Sequence, residues 1–467
     1  MAIERTHSFR ELLLWGEFRN QAISLVTLGI SMLSSFLVIA ALSVYQFGLY
    51  QLILTAVGFA SLFASGFFDD LMINEVALSF ADGRRSTAKR LFNEYFWGKV
   101  AISLIATAVL FFGAEFVARH YDKDISSYIR IASFLVAIGV IRTSQSLFFR
   151  SIVSFSAFGA NAIYEVIRLI ALAIFWFTTD LSLTTVLGVS AAAAAVTLLY
   201  SSFFFIRRYR EAFKDVRADN VWLSPKIIFS QGKWLMLRQG VSRMTTGLDT
   251  WYVRFFLNTE AVGLYAFART LLTILQGFIP TSMLGVLLPW ESGREGRLRF
   301  IYRRMTKYGI WIGLAIATVA FFAIPPFIEI VFSKYTPAMP LFRFIVWTLP
   351  LYAVYKFQKS FLVMLREQEL LAKRYLTELL VNTGIAVTLL PAIGLFAIAV
   401  QFFVDYIGRV WLYAYYLQKR YPYLSLSWRG FIRIDEEDRK VFYRILEEVF
   451  SPRRWFRPAR SRIEIPK

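Results

Sequence analysis

Cysteine is absent from this 467-residue chain, and histidine occurs only as His7 and His120. Without cysteine there is no disulfide, no thiolate nucleophile and no Cys-ligated zinc or iron–sulfur site. Two histidines cannot build a multi-histidine metal centre, and the chain has neither a GxxxxGKS/T loop nor an HExxH pair. ATP hydrolysis and metalloprotease chemistry therefore lack their minimal parts. Charge is sparse too: Asp, Glu, Lys and Arg make up 18% of residues, against about 25% in average soluble domains. What fills the space is apolar, 57% of the chain with 46 Phe and 12 Trp, at a mean hydropathy of +0.52. These residues form long runs such as 22–42, and about 18 consecutive apolar residues suffice to cross hydrocarbon. A soluble enzyme, a disordered chain and a fibrous protein are all excluded.

The hydropathy pattern predicts an all-α membrane protein of about twelve transmembrane helices, near 21–43, 49–69, 95–118, 127–148, 157–178, 183–206, 234–257, 262–288, 307–330, 341–363, 375–393 and 396–417. The expected organisation is an amphipathic N-terminal segment 1–20, a first lobe 21–206, a basic linker 207–233, a second lobe 234–417 and a basic amphipathic tail 418–467. The N-terminal segment has no short apolar core followed by a small-residue cleavage site, so no removable signal peptide is expected. One side of the expected topology carries 37 Lys and Arg and the other only Arg119, Lys123 and Lys334. That bias places the basic side, with both termini, in the cytoplasm of a cell membrane. The net charge of +20 then reports topology and attraction to anionic lipid headgroups, not nucleic-acid binding. The opposite loops are short, about five to seven residues at 119–125 and 333–337, too little for the external domain a membrane-embedded polymerase or glycosyltransferase uses. No enzyme activity and no cofactor are expected.

The halves share a pattern. Tyr45-Gln46-Phe47-Gly48-Leu49-Tyr50 falls at the turn between the first two spans, and Glu260-Ala261-Val262-Gly263-Leu264-Tyr265 at the turn between the seventh and eighth, 215 residues later. An even number of spans separates the copies, so the repeats are parallel and related by an axis along the membrane normal, as in several transporter folds.

These turns carry a resemblance. Phe47-Gly48-Leu49-Tyr50 with Gly66-Phe67-Phe68-Asp69, and Gly247-Leu248-Asp249 with Phe255-Phe256-Leu257 and the run Ala261 to Ala268, resemble polysaccharide-type lipid-linked oligosaccharide flippases. These belong to the multidrug/oligosaccharidyl-lipid/polysaccharide exporter (MOP) superfamily, which also holds the MATE drug exporters. The resemblance implies two six-helix lobes around a central cavity that opens alternately to each side. It further implies a polyprenyl-pyrophosphate-linked glycan as cargo, moved from the cytoplasmic to the outer leaflet for surface polysaccharide assembly. A glycan polymerase or glycosyltransferase is a natural partner, docking on the tail being one route. A MATE-like, cation-coupled exporter of small organic molecules is the alternative.

Charges inside the spans are the candidate site, because each costs roughly 2.5–3.5 kcal/mol at a helix centre. The seventh span carries Arg238, Arg243, Asp249 and Arg254. At 100° per residue, Arg243 superposes on Arg254 and Arg238 on Asp249, giving two stripes. Arg269 follows in the eighth span, Arg142 sits in the fourth, and Lys356 and Lys359 approach the inner end of the tenth. Arginine suits a pyrophosphate because its planar fork donates paired hydrogen bonds. Arg243, Arg269, Arg254, Arg238, Arg142 and Lys356 are thus the expected substrate-binding residues. Asp249 and Glu165 are the candidates for coupling to H+ or Na+. Glu165 with Arg168, and Asp405 with Arg409, are spaced to neutralise one another along a helix face; Glu378, Asp69 and Asp70 are expected near cytoplasmic water. Gly66, Gly277 and Pro280 are the expected hinges, Pro280 kinking the eighth span by leaving a backbone carbonyl unpartnered. The first span carries no ionisable residue, unlike many MATE exporters, which have a coupling carboxylate there, and some lipid flippases, which have an arginine.

Overall fold

A computed structural model describes residues 9–65, 69–121, 125–152, 159–218, 233–279, 295–365 and 367–424. Gly66, Pro280, most of the 207–233 linker and all but the start of the 418–467 tail lie outside these described residues. Within them the first lobe is built from α1 (Phe9–Ala41), α2 (Val44–Ser65), α3 (Asp69–Ala81), α4 (Arg85–Tyr121), α5 (Ser126–Ser151), α6 (Gly159–Thr178) and α7 (Leu183–Ala212). The second contains α8 (Lys233–Phe256), α9 (Thr259–Gly277), α10 (Glu295–Val331), α11 (Met339–Ile345), α12 (Leu349–Met364), α13 (Gln368–Ile393) and α14 (Phe396–Arg420). Nine helical segments among the described residues are long and apolar enough to cross a membrane. α1, α8 and α9 occupy the other three expected spans; α8 falls short in hydropathy because of the ionisable residues that make it a site candidate. The tenth span is broken: a 3-10 turn, Ser333–Ala338, leads into α11, and a second, Val346–Thr348, leads into α12.

Two basic segments read as loops are helical. Residues 85–90 open α4 and 295–307 open α10, both rich in helix formers, and Arg90 is paired one turn on with Glu94 at 2.5 Å. Each of these helices has 37 residues, about 55 Å at 1.5 Å per residue, well beyond a hydrocarbon core of about 30 Å. The surplus projects at the basic end. The helix over Asp69–Ala81 also went unforeseen. Asp69 does not face water: it is buried and accepts from Tyr95 Oη and Lys99 Nζ, both at 2.7 Å. Tyr95 and Lys99 lie one turn apart on α4, so both reach the same carboxylate, and a buried charge persists only when it is paired and hydrogen-bonded.

The same helix pairings recur in both lobes. α1 packs on α6 as α8 packs on α13, and α4 on α5 as α10 on α12. α5 meets α7 as α12 meets α14, and α6 meets α7 as α13 meets α14. The repeat read from two short turns therefore extends through the membrane region. The helices following the two turns, α2 and α9, are capped at equivalent positions 215 apart. Ser43 and Gln46 form a reciprocal capping box at 3.1 and 3.2 Å, and Asn258 accepts from Ala261 N at 2.8 Å. Both caps use a short polar side chain to satisfy an orphan N–H.

The lobes meet along α2 and α8, where Phe59 lies against Gly247, and most closely at these two turns. A Cβ on Gly48 would lie 2.0 Å from the Thr259 carbonyl oxygen, and one on Gly263 would lie 2.2 Å from the Val44 carbonyl oxygen. Adding 215 to Gly48 and Val44 gives Gly263 and Thr259, so the contact is reciprocal, as two-fold interfaces are. Tyr335 seals it, stacked on Phe267 at 4.4 Å and edge-on to Phe47 at 5.9 Å. Lys334 Nζ crosses the seam to donate to the carbonyls of Ala40 and Leu42, each at 2.7 Å. These are end carbonyls of α1 that lack an intrahelical partner.

Candidate functional site

Five helices of the second lobe each turn one polar stripe inward. α8 supplies Ser242, Thr245 and Asp249, at i, i+3, i+7; α13 supplies Tyr375, Glu378 and Asn382 at the same spacing. α14 presents Gln401, Asp405 and Arg409, with Phe402 and Tyr406 beside them. α12 adds Tyr352, Tyr355, Lys356 and Lys359, and α9 adds Arg269 and Gln276. The stripes enclose a cavity of roughly 310 Å³. Spacings of three and four place each set on one helix face. The cavity survives in a membrane lobe because its groups satisfy one another.

Two networks organise it. Asp249 is 5% exposed and accepts from Gln401 Nε2 at 2.7 Å and from Tyr265 Oη. Tyr265 in turn accepts from Arg269 Nη1 at 2.8 Å, so Arg269, Tyr265 and Asp249 form a relay from α9 to α8. The second network centres on Arg409. Its guanidinium donates to Glu378 on α13 and to Asp405 on its own helix, the latter at 2.7 Å from Nη2. Arg374 reaches Asp405 from 3.3 Å. The Tyr355, Tyr406 and Tyr375 rings stand 4.6, 5.3 and 5.8 Å from the Arg409 guanidinium carbon, within cation–π range.

The two lysines are held differently. Lys359 Nζ donates to Tyr375 Oη at 2.8 Å, and Lys356 Nζ sits over the Tyr352 ring at 5.3 Å. Neither forms an ion pair among the described residues. Four cations, Arg269, Lys356, Lys359 and Arg409, thus face three carboxylates, Asp249, Glu378 and Asp405. The formal excess is one positive charge, and the two lysines on α12 meet tyrosines and no carboxylate among the described residues. Asn382 Oδ1 and Gln401 Oε1 are buried without a hydrogen-bond partner among the described residues, as happens where a polar site has room for a further group.

Of the residues expected from the sequence, Arg269, Lys356 and Asp249 meet in this cavity. Arg238 instead bonds Gln368 Oε1 on α13 at 2.6 Å, and Arg254 is half-buried two residues before the end of α8. Arg243 lies on α8, and its side chain is outside the described set. Arg142 and Glu165 belong to a separate cluster in the first lobe. There Arg168 Nη2 donates to Tyr50 Oη at 3.0 Å and lies 3.7 Å from Glu165, while Arg142 sits 4.7 Å over the Tyr164 ring. Tyr50 and Tyr265 are repeat equivalents, and each receives a guanidinium. Gly277 is the last residue of α9, where Phe278 N and Ile279 N bond back to Leu275 and Gln276; Pro280 lies outside the described residues.

Glu378 was expected near the interface and is instead 3% exposed at the heart of the site. Asp405 and Arg409 do pair along their helix, but Arg409 also takes Glu378 from a different one. The missed signal was the stripe of Gln401, Asp405 and Arg409 at spacing four, polar on an otherwise apolar helix.

The polysaccharide biosynthesis protein family matches residues 19–293, more than half of the chain. No curated protein sequence matches it. Among solved structures it is similar to the lipid II flippase MurJ in an inward closed conformation, with a TM-score of 0.66 and 13% identity over 92% of this chain and 93% of that one. An inward-facing multidrug resistance MATE family transporter of the MOP superfamily gives 0.65 and 13% over 85% and 95%. A MOP superfamily transporter from Pyrococcus furiosus, described as having a binding pocket of reverse polarity, gives 0.57 and 14% over 85% and 93%. The chain belongs to the polysaccharide biosynthesis protein family and has the multi-pass fold of the MOP-superfamily transporters.

Proposed function

We propose that the protein moves a lipid pyrophosphate-linked oligosaccharide from the cytoplasmic to the outer leaflet by alternating access. The observation that carries this reading is the cation excess of the second-lobe cavity, with Lys356 and Lys359 free of carboxylates. A pyrophosphate needs donors that are not already neutralised, and lysine ammonium and arginine guanidinium groups supply charge-assisted bonds to its oxygens. The glycan and pyrophosphate enter the cavity while the polyprenyl chain stays in lipid. The Lys and Arg bias supports a cytoplasmic basic end; the glycine seam then closes the outer face, and this conformation takes up cargo from inside. Rocking of the lobes, absorbed at α2 near Gly66 and at the α9 end near Gly277 and Pro280, opens the other side. Asp249, held by Tyr265 and Gln401, is the proposed coupling carboxylate for H+ or Na+.

The alternative, export of small organic cations, draws on the three cavity carboxylates. Two of them are already bonded to Arg409, which leaves an entering cation one acidic partner against two lysines that hold no carboxylate among the described residues.

In proteoliposomes loaded with a polyprenyl-pyrophosphate disaccharide, wild-type protein makes the internal glycan accessible to an external glycosidase. Arg269→Ala slows this by roughly tenfold, since a hydrogen bond to a charged group contributes about 1.5–3 kcal/mol. Equal exposure in wild-type and protein-free liposomes rules the function out.

A further inference from the structure

Arg409 touches two carboxylates and three tyrosines of the cavity, yet it is not placed to be the cargo's first contact. Its guanidinium is committed to Glu378 and Asp405 and enclosed by tyrosines, while Lys359 stands over two of the same rings, 5.8 Å from that of Tyr355 and 5.4 Å from that of Tyr375. The cation paired with carboxylates and the one bonded only to tyrosines are thus neighbours across shared aromatic walls. Glu378 and Asp405, on α13 and α14, are the carboxylates that this guanidinium holds.

Resting on the cargo proposed above, we infer that Arg409 is the specificity-determining residue of the cavity: it holds Glu378 and Asp405 neutralised, so that the wall bearing Lys356 and Lys359 selects anions. With Arg409 in place the lining carries four positive and three negative groups. Without it, three face three, Glu378 loses its cationic partner and Asp405 keeps only Arg374, at 3.3 Å. Each then offers Lys359 an internal partner, as well as repelling a phosphate. One removed charge alters the potential felt by both lysines, because interactions over several ångströms in a buried site are only partly screened.

Arg374 shows why the clamp is local to Arg409. It contacts Asp405 alone, at 3.3 Å, through its side chain and the backbone carbonyl, and leaves Glu378 untouched. The Glu378 carboxylate receives both Arg409 Nε and Nη2, the paired geometry in which arginine is not replaceable by lysine. The two acidic residues therefore have one shared neutraliser, and cargo sign depends on it.

The test uses full-length protein in nanodiscs, with polyprenyl pyrophosphate and tetraphenylphosphonium as probes and folding followed by thermal unfolding. Arg409→Leu is expected to weaken polyprenyl pyrophosphate binding by roughly tenfold or more and to raise tetraphenylphosphonium binding. The triple variant Arg409→Leu/Glu378→Gln/Asp405→Asn removes the clamp together with the charges it cancels. It is expected to regain pyrophosphate binding to within about threefold of wild type, whereas Arg409→Lys recovers only part of the loss. If the single variant is folded and keeps the wild-type preference, the inference is overturned while the proposed cargo stands. Should the single variant fail to fold, the triple variant decides: loss of pyrophosphate preference there contradicts the inference. A wild-type protein that prefers tetraphenylphosphonium overturns the cargo itself, whatever the variants do.

Discussion

Substituting alanine for Gly48 or for Gly263 is expected to prop the lobes apart at the end opposite the basic one and to cut transport at least about tenfold. The added Cβ would sit 2.0 Å from the Thr259 carbonyl oxygen in one case and 2.2 Å from that of Val44 in the other. Both obstacles are backbone, so no side chain can swing aside to admit the methyl group. Relief requires the two helix starts to separate, which pulls Tyr335 from Phe47 and Lys334 from the α1 carbonyls. Overpacking of this kind costs about 1–3 kcal/mol, and 1.4 kcal/mol moves a two-state equilibrium tenfold. Gly58, also on α2, has nothing within 4 Å of its Cβ position, so Gly58→Ala is the matched control and should leave transport unchanged. The absence of native cysteine makes the measurement clean. Spin labels at introduced cysteines 46 and 260 should show a longer inter-lobe distance in either glycine variant and the wild-type distance in the control. An unchanged distance in Gly48→Ala would mean that the seam does not govern closure.

Reversing the charge at Lys356 should have the largest effect on cargo binding. Lys356→Glu takes the formal charge of the lining from an excess of one positive to an excess of one negative, since one of four cations becomes a fourth carboxylate. Lys356 sits over the Tyr352 ring and forms no ion pair among the described residues, so its replacement strands no carboxylate and the fold should persist. At about 5 Å and an effective dielectric near 20, one unit charge interacts by roughly 3 kcal/mol. A change of two charge units therefore predicts at least about a hundredfold loss of affinity for a polyprenyl-pyrophosphate glycan. Lys356→Gln should fall between, and isothermal titration in nanodiscs resolves the series. Similar dissociation constants for wild type, Gln and Glu variants would place the phosphates elsewhere.

The legible and illegible parts of this molecule divide along one physical line. Span positions, the basic end and the repeat are properties of stretches of chain, so hydropathy and the Gly-Leu-Tyr offset reveal them. The pairing of α1 with α6 and α8 with α13 then follows from two copies of one architecture. Within a helix, partners three or four apart are visible as well, and Asp405 with Arg409 is one of them. Contacts between helices are not. Glu378 looks like an interfacial acid until α14 brings Arg409 against it, and Asp69 looks solvated until α4 supplies Tyr95 and Lys99. Arg238, by contrast, looked cavity-facing from its register with Asp249, eleven residues on, yet finds Gln368 instead. A stripe computed on one helix does not say which neighbour covers it. The seam glycines carry the same lesson. Their sequence copies were evident, but only packing shows that the copies touch each other.

Binding by the wild-type protein tests the cargo most directly. Purified protein in lipid nanodiscs would be offered a labelled polyprenyl-pyrophosphate glycan against unlabelled inorganic pyrophosphate and a panel of organic cations. Displacement by pyrophosphate with indifference to the cations is the predicted result, because the cations of the lining outnumber its carboxylates by one. Displacement by the cations, with pyrophosphate without effect, would contradict a pyrophosphate-linked cargo.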